Sequence, residues 1–324
     1  MKLLDIYARK QEQLQVIERE LEQAVRSDHG MLTEASLHLL KAGGKRIRPV
    51  FVLLAGDFGT PNPEYLHRVA VSLELIHMAS LVHDDVIDDA DTRRGRPTVK
   101  SKWDSRVAMY AGDFMFAKAL AVIAQVPDPE IHRVLSHSMV QMATGEMEQI
   151  RYYYNTKQTI RDYLLRIRRK TALLIAVSCR LGAMAVSAPR HVSRALYSFG
   201  YNAGMAFQIR DDLLDLCGDE RILGKPPGSD IRQGNITLPV IYSLLDPKLR
   251  DSLLADIAMI RAAGGNMDIG PFLDTVRAGG GIERAEALAN RYIEKAIAAL
   301  KPLPDIEAKR SLEEIAVFIG TRNF

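Results

Sequence analysis

Cysteine is nearly absent from this chain: Cys179 and Cys217 are the only two in 324 residues. They lie far apart with no C-x-x-C spacing, which excludes a disulfide framework and a thiolate metal site and fits a reducing, cytoplasmic setting. Excess charge of one sign is also missing. A net charge of +3 is too small to point to nucleic acid, and Tyr152, Tyr153 and Tyr154 stand without a basic groove motif around them. Long uninterrupted apolar runs are lacking as well. The most apolar segment, "TALLIAVSCRLGAMAVSA" at 171–188, is broken by Arg180 and flanked by charges upstream, so a buried core helix is expected there, not a membrane span. The first 25 residues are charged throughout, unlike a secretory signal.

No alternating strand pattern, solenoid period or low-complexity linker is present. What is present is 47% apolar and 26% charged residues, ordinary for a soluble protein with a large core. Apolar positions recur at 3-and-4 spacing, predicting helices near 3–26, 31–40, 46–57, 63–89, 103–125, 129–150, 157–186, 190–217, 236–262, 267–278, 281–300 and 305–319. Proline and glycine clusters such as "TPNP", "VPDP", "GKPPGSD" and "KPLP" punctuate them. The expectation is an all-α protein, a single domain over 1–324 built as one large bundle of long helices.

Against that background "LVHDDVIDDADTRRGRP", residues 81–97, stands out, with five aspartates in eight positions behind an apolar run. Asp84 and Asp88 share a helix face, as do Asp85 and Asp89, and like charges at that spacing repel. The predicted helix ends there, where its dipole is negative and anions are unfavourable. "FQIRDDLLD", residues 207–215, repeats the arrangement with Asp211, Asp212 and Asp215. One such cluster could be a solvated helix end; two that break the same rule point to function.

Carboxylates without His or Cys select hard cations, and Mg²⁺ is typically held by one or two carboxylates plus substrate phosphates. Neither cluster has EF-hand spacing, and Glu-x-x-His pairs for a di-iron bundle are missing; a two-metal nuclease stays open at this point. Cations stand nearby in sequence: Lys45, Arg46 and Arg48 in "AGGKRIRP", then Arg93, Arg94, Lys170 and Lys225. The first group is not a Walker loop. Each base alone reads as a solvated surface group, but together they supply cations for two separate anions, one held through metal and one directly.

In order along nearly the whole chain, "GGKRIRP", "ELIHMASLVHDDVIDDADTRRGRPT", "YAGDFMFAKA", "KTA", "FQIRDDLLD" and "LGKPPGSDIRQGNITLP" resemble the motifs of the trans-isoprenyl (polyprenyl) diphosphate synthases. Within that family, "SLELIHMASLVHDDVIDDAD" and "RRKTALLIAVSC" look like the catalytic large subunits (component II) of the heptaprenyl type. The resemblance implies an isoprenoid-synthase fold around a central cavity. It also implies head-to-tail addition of isopentenyl diphosphate to an allylic diphosphate such as farnesyl diphosphate, by ionisation, condensation and elimination, to a long all-trans product. For the heptaprenyl type this is a C35 chain for a menaquinone side chain.

On the matching positions, the resemblance assigns Mg²⁺ (two to three ions with the substrate diphosphate) to Asp84, Asp85 and Asp88 and to Asp211, Asp212 and Asp215. Lys45, Arg48, His77 and Arg94 fall on the isopentenyl diphosphate side, and Arg93, Lys170, Thr171, Gln208 and Lys225 on the allylic side. Asp84, Asp88, Asp211, Lys170 and Lys225 form the catalytic set. Asn235 stands where many relatives carry a second lysine, which puts one allylic phosphate contact in doubt. Ala79 and Ser80, small where short-chain relatives carry aromatics, imply room for a long product. A small non-catalytic partner subunit is implied, with a homodimer as the alternative, together with transient membrane contact for product release.

A homodimeric synthase of another chain length is a rival reading. A terpene cyclase is another, though its second metal motif mixes Asn, Ser or Thr with acids, unlike "DDLLD". A non-catalytic subunit would have eroded acids and bases, which are intact here, and a simple divalent-cation protein needs no such set of bases.

Overall fold

A computed structural model describes residues 3–218 and 227–321. Apart from one two-stranded ribbon, its regular structure is helical. The described helices are α1 (Leu3–Arg9), α2 (Gln11–Ala24), α3 (Gly30–Lys41), α4 (Ile47–Gly56), α5 (Pro63–Ile87), α6 (Val99–Lys102), α7 (Ser105–Ile123), α8 (Pro129–Arg151), α9 (Ile160–Ile167), α10 (Leu173–Ala185), α11 (Arg190–Cys217), α12 (Ser229–Arg232), α13 (Leu238–Leu244), α14 (Pro247–Ala262), α15 (Gly270–Ala278), α16 (Gly281–Leu300) and α17 (Glu307–Gly320). A π-helical turn, Arg168–Ala172, joins α9 to α10. The ribbon pairs β1 (Thr92–Arg93) with β2 (Arg96–Pro97).

By their contacts the residues form two compact units. Unit 1 comprises 1–136, 177–197 and 303–312, and unit 2 comprises 137–176, 198–302 and 313–324.

In unit 1, α5 is buried on all sides from Val69 to Ile76 and packs most extensively along α7. Asn62 caps its start by accepting a hydrogen bond from the Tyr65 N–H, with Pro63 in the first turn. An apolar run buried all round suits a central helix, and it fixes where the polar residues that follow must emerge. In unit 2, Tyr163, Met205, Ile209, Leu213, Leu253, Phe272 and Val276 belong to one buried cluster, which anchors the C-terminal half of α11.

Most predicted helices lie within two or three residues of their expected bounds. Segment 3–26 is broken at Lys10, whose ammonium reaches the Asp57 carboxylate at 2.8 Å; a tertiary ion pair of that kind has no local periodicity to announce it. Segment 157–186 is interrupted by the π turn, and 236–262 is split at Asp246–Pro247, where Asp246 caps the Lys248 N–H. The ribbon lies in "TRRGRP", whose last three residues, "GRP" at 95–97, read in the sequence as a breaker. Leu173–Ala185 is a buried helix, and among the described residues no helix is long and apolar enough to cross a membrane.

Candidate active site

In unit 1, α5 ends at Ile87, so Asp84 lies in its last turn and Asp88 is its C-cap, with the Asp88 N–H donating to the Asp84 carbonyl at 2.8 Å. Steps of three and four residues put Glu74, His77, Asp84 and Asp88 on one face. Asp84 and Asp88 are half-buried and Asp85 is buried. Asp85 turns to Arg93, whose Nε and Nη2 each lie 2.7 Å from Asp85 Oδ1. Burial raises the Asp85 carboxyl above its ordinary value, against the pull of Arg93. Asp85 thus orients Arg93, while its buried Oδ2 has no hydrogen-bond partner.

The ribbon carries the next base. Arg94 and Gly95, at φ 55° and 73°, make the two-residue turn between β1 and β2, where left-handed backbone matches the strand twist. Two bonds fasten the ribbon to α3: His38 Nε2 donates to the Pro97 carbonyl at 2.7 Å, and Arg96 to the Lys41 carbonyl at 2.8 Å. The Arg94 guanidinium then lies against Gly44, where a Cβ would stand 2.6 Å from Arg94 Nη1. A side chain at that position would make the Arg94 guanidinium shift, and the φ of 157° itself favours glycine.

Arg46 is a strut. Its guanidinium is held by Glu18, by Glu74 Oε1 at 3.2 Å and by the Leu40 carbonyl at 2.9 Å. Burial works against its charge, yet Glu18 and Glu74 outweigh that and hold it above its ordinary value. Arg48 is different: its buried Nε has no partner, and burial brings it down to about 10, Glu74 opposing and Arg94 adding to the fall. His77 is held well below its ordinary 6.5 by burial first and then by Arg48, Arg94, Arg93 and Arg46. Cations gathered around a neutral imidazole make a receptor for a multiply charged oxyanion. His77 enters it as an uncharged hydrogen-bond partner. His83 is structural: its Nε2 donates to the Met109 carbonyl at 3.1 Å and its ring fills the space left by Gly112.

In unit 2, Asp211, Asp212 and Asp215 occupy the last turns of α11. Asp211 is exposed; the other two are buried. Asp212 Oδ2 accepts from the Tyr163 hydroxyl at 2.6 Å and Oδ1 from Gln208 Nε2 at 2.8 Å. Burial pushes its carboxyl up, to about 7, against those two hydrogen bonds. Gln208 Oε1 in turn accepts from Thr171 at 2.7 Å, forming a chain Thr171–Gln208–Asp212–Tyr163. Asp215 accepts from Ser229 Oγ at 2.6 Å and the Asp230 N–H at 3.0 Å, tying α11 to α12. Asp211 is thus exposed at the helix surface, while Asp212 and Asp215 beside it are held by protein partners.

Lys170 sits on the π turn, its ammonium 2.7 Å from Glu146 Oε2, and Arg169 is held by Glu148 and Gln141. Such single π turns are frequent at functional sites. Gly145 lets α8 approach, since a Cβ there would be 2.8 Å from Arg169 Cβ. Asn235 is half-buried, its N–H donating to the Asp230 carbonyl at 2.8 Å. Ala79 is fully buried, and Ser80 donates to the His77 carbonyl at 2.8 Å. Lys225 lies outside the described residues.

The carboxylates fit a hard cation by donor chemistry, with the buried, unpartnered Asp85 Oδ2 as an oxygen that lacks a protein donor. Among the described residues no three His, Cys, Asp or Glu side chains form a ready cage, so substrate and water oxygens would have to complete any such shell. Sequence reasoning missed Glu18, Glu74, Glu146, Glu148 and Tyr163. For Glu74 the signal was available: a lone acid within the apolar run "VAVSLELIHM".

An all-α chain with aspartates at two helix ends and a basic receptor for oxyanions has the make-up of an isoprenoid-synthase enzyme. The family model described as Polyprenyl synthetase matches residues 29–264. Heptaprenyl diphosphate synthase component 2 of Geobacillus stearothermophilus is 51% identical over the full length of both chains. Among solved structures, heptaprenyl diphosphate synthase from Staphylococcus aureus superposes with a TM-score of 0.89 at 39% identity, covering 97% of this chain and 98% of that one. Polyprenyl synthase from Caulobacter crescentus, complexed with calcium and isoprenyl diphosphate, gives 0.92 at 28% identity, covering 100% and 98%. The chain belongs to the polyprenyl synthetase family, and its activity is that of a trans-polyprenyl diphosphate synthase.

The low pKa of His77 makes a stability prediction. Its folded value lies below 6.5, so the unfolded chain takes up the proton first as pH falls. Stability tied to His77 is complete above about 6.5 and lost below it, by at most about 1.4 kcal/mol per pH unit. Denaturant midpoints measured between pH 7.5 and 5.5 should fall in the wild type and fall less steeply in His77→Gln. Equal slopes would show that His77 is not held neutral.

Proposed function

We propose that the chain is the catalytic subunit of a heptaprenyl diphosphate synthase. It extends farnesyl diphosphate with isopentenyl diphosphate to a C35 chain that serves a menaquinone side chain, in the cytoplasm. The observation that carries the reading is the set of four arginines around neutral His77 on the same helix as Asp84 and Asp88.

In this reading Lys45, Arg48, Arg94 and neutral His77 hold the isopentenyl diphosphate. Asp84 and Asp88 hold Mg²⁺ for the allylic diphosphate, with Asp85 orienting Arg93 toward it. Asp211, braced by Asp212 and Asp215, holds a further ion, and Lys170, Thr171, Gln208 and Lys225 contact the allylic diphosphate. Bound Mg²⁺ supplies Lewis-acid neutralisation of diphosphate oxygens. Arg93 and Lys170 stabilise the negative charge that grows as the allylic C–O bond ionises, which is electrostatic catalysis by preorganised cations. The isopentenyl double bond attacks the allylic carbon, and the proton then lost passes to the departing diphosphate; no protein nucleophile takes part. Exclusion of water protects the allylic cation.

Both relatives named component 2 support a hetero-oligomer with a small non-catalytic subunit, and Ala79 with Ser80 support a long product. Purified chain with Mg²⁺, isopentenyl diphosphate and farnesyl diphosphate, assayed with and without a candidate small subunit, should yield C35 product in the mixture. A shorter product from the chain alone favours a homodimeric synthase of another length, and no prenyl product in either arm refutes the reading. In the productive mixture, Asp84→Ala should lower turnover by about two to three orders of magnitude at an unchanged circular-dichroism spectrum; near-wild-type turnover would remove the metal role. Ala79→Phe should shorten the product, and an unaltered product length would remove Ala79 from chain-length control.

A further inference from the structure

The loop that presents Lys45 and Arg48 does not hold its own shape. Gly43 and Gly44 have φ of 83° and 157°, and Arg46 follows at 45°, a left-handed conformation that a side-chain-bearing residue rarely adopts. A non-glycine residue held there costs on the order of 1–3 kcal/mol and persists only where its surroundings over-determine it. Arg46 also occupies the N-cap of α4 with no side-chain cap hydrogen bond, so the usual local device for starting a helix is missing.

The restraint comes from residues 28 and 38 positions away in sequence. The Tyr7 hydroxyl, on α1, donates to the Lys45 carbonyl. Glu18, on α2, takes both Nε and Nη2 of Arg46 in a bidentate pair. Glu74 on α5 and the Leu40 carbonyl hold the same guanidinium from other sides. Burial, then the charge of Glu74, raise the Tyr7 hydroxyl to about 12, so it remains a donor at neutral pH. The Lys10–Asp57 pair links the α1–α2 junction to the far end of α4. Lys45 therefore stands between two pinned points, and Arg48 one turn further on.

We infer that Tyr7 and Glu18 are positioning residues for the isopentenyl diphosphate pocket: they clamp the backbone of Lys45 and the side chain of Arg46, and so fix where Lys45 and Arg48 present their charge. The assignment rests on the synthase reading above and adds α1 and α2 to the machinery that it needs. Neither residue touches substrate. Lys45 and Arg48 hold a diphosphate whose charge does not change in the reaction, so weakening their hold removes binding shared by ground and transition states, which appears in KM and not in kcat.

The test is steady-state kinetics of the full chain, with its partner subunit if activity requires one, comparing wild type, Tyr7→Phe and Glu18→Gln. Both variants keep side-chain shape and remove one tether. The expected result is a rise of about fivefold or more in KM for isopentenyl diphosphate, with kcat and KM for farnesyl diphosphate within about twofold of wild type. Thermal midpoints measured alongside allow both variants to be assayed well below unfolding. If KM for both substrates rises and kcat falls together, or if neither variant departs from wild type, the assignment is overturned and the synthase reading stands. A wild type that condenses no isopentenyl diphosphate overturns that reading and this one with it.

Discussion

Glu74 is the charge on which unit 1 depends. It is only 3% exposed, the one acid in a buried and mainly apolar stretch of α5, and it faces the guanidinium of Arg46. Arg48, Arg94 and Tyr7 also feel its field. Removing one partner of a buried pair leaves an uncompensated charge, typically at a cost of about 3–5 kcal/mol. Here the carboxylate does more than satisfy Arg46. It offsets part of the mutual repulsion of several arginines, which would otherwise push apart a pocket that has to stay cationic for its ligand.

The electrostatics divide the labour among residues of the same type. Arg46 is committed to Glu18 and Glu74 and holds the frame, while Asp85 fixes the direction in which Arg93 points. Arg48 is held below its ordinary value and keeps a buried Nε without a partner, a group whose desolvation an oxyanion would repay. Unit 2 follows the same division with acids. Asp212 and Asp215 are committed to Tyr163, Gln208, Ser229 and Asp230, while Asp211 stays exposed at the helix surface. In both units, residues held by protein partners support those placed for substrate, as a preorganised site requires.

Most of the helical architecture was legible, because 3-and-4 periodicity and proline breakers are local signals and they locate α5, α7, α8, α11 and α16 closely. The aspartate clusters were legible because they break a local rule at two helix ends. The interruptions at Lys10 and at the π turn were not, since they answer to tertiary partners, Asp57 in the first case and α8 with its Gly145 in the second. The ribbon escaped because two-residue strands carry no periodicity, although "RRGR" has the glycine that its turn needs. Pairings such as Tyr7–Lys45, Glu18–Arg46 and Tyr163–Asp212 span 28 to 49 residues and left no trace in any window of sequence. Which aspartate of a pair is buried also depends on helix phase relative to the core, which the spacing of acids alone does not state.

The central claim is that the arginine set around His77 is a diphosphate receptor. Its most direct test is nitrogen-15 NMR titration of the His77 imidazole in the whole protein, first free and then with inorganic pyrophosphate. The ring should remain neutral down to pH values well below 6.5 in the free protein, and its pKa should rise when the dianionic or more highly charged ligand offsets the surrounding arginines. A ring that titrates near 6.5 without ligand, or one whose pKa ignores saturating pyrophosphate, would contradict the account.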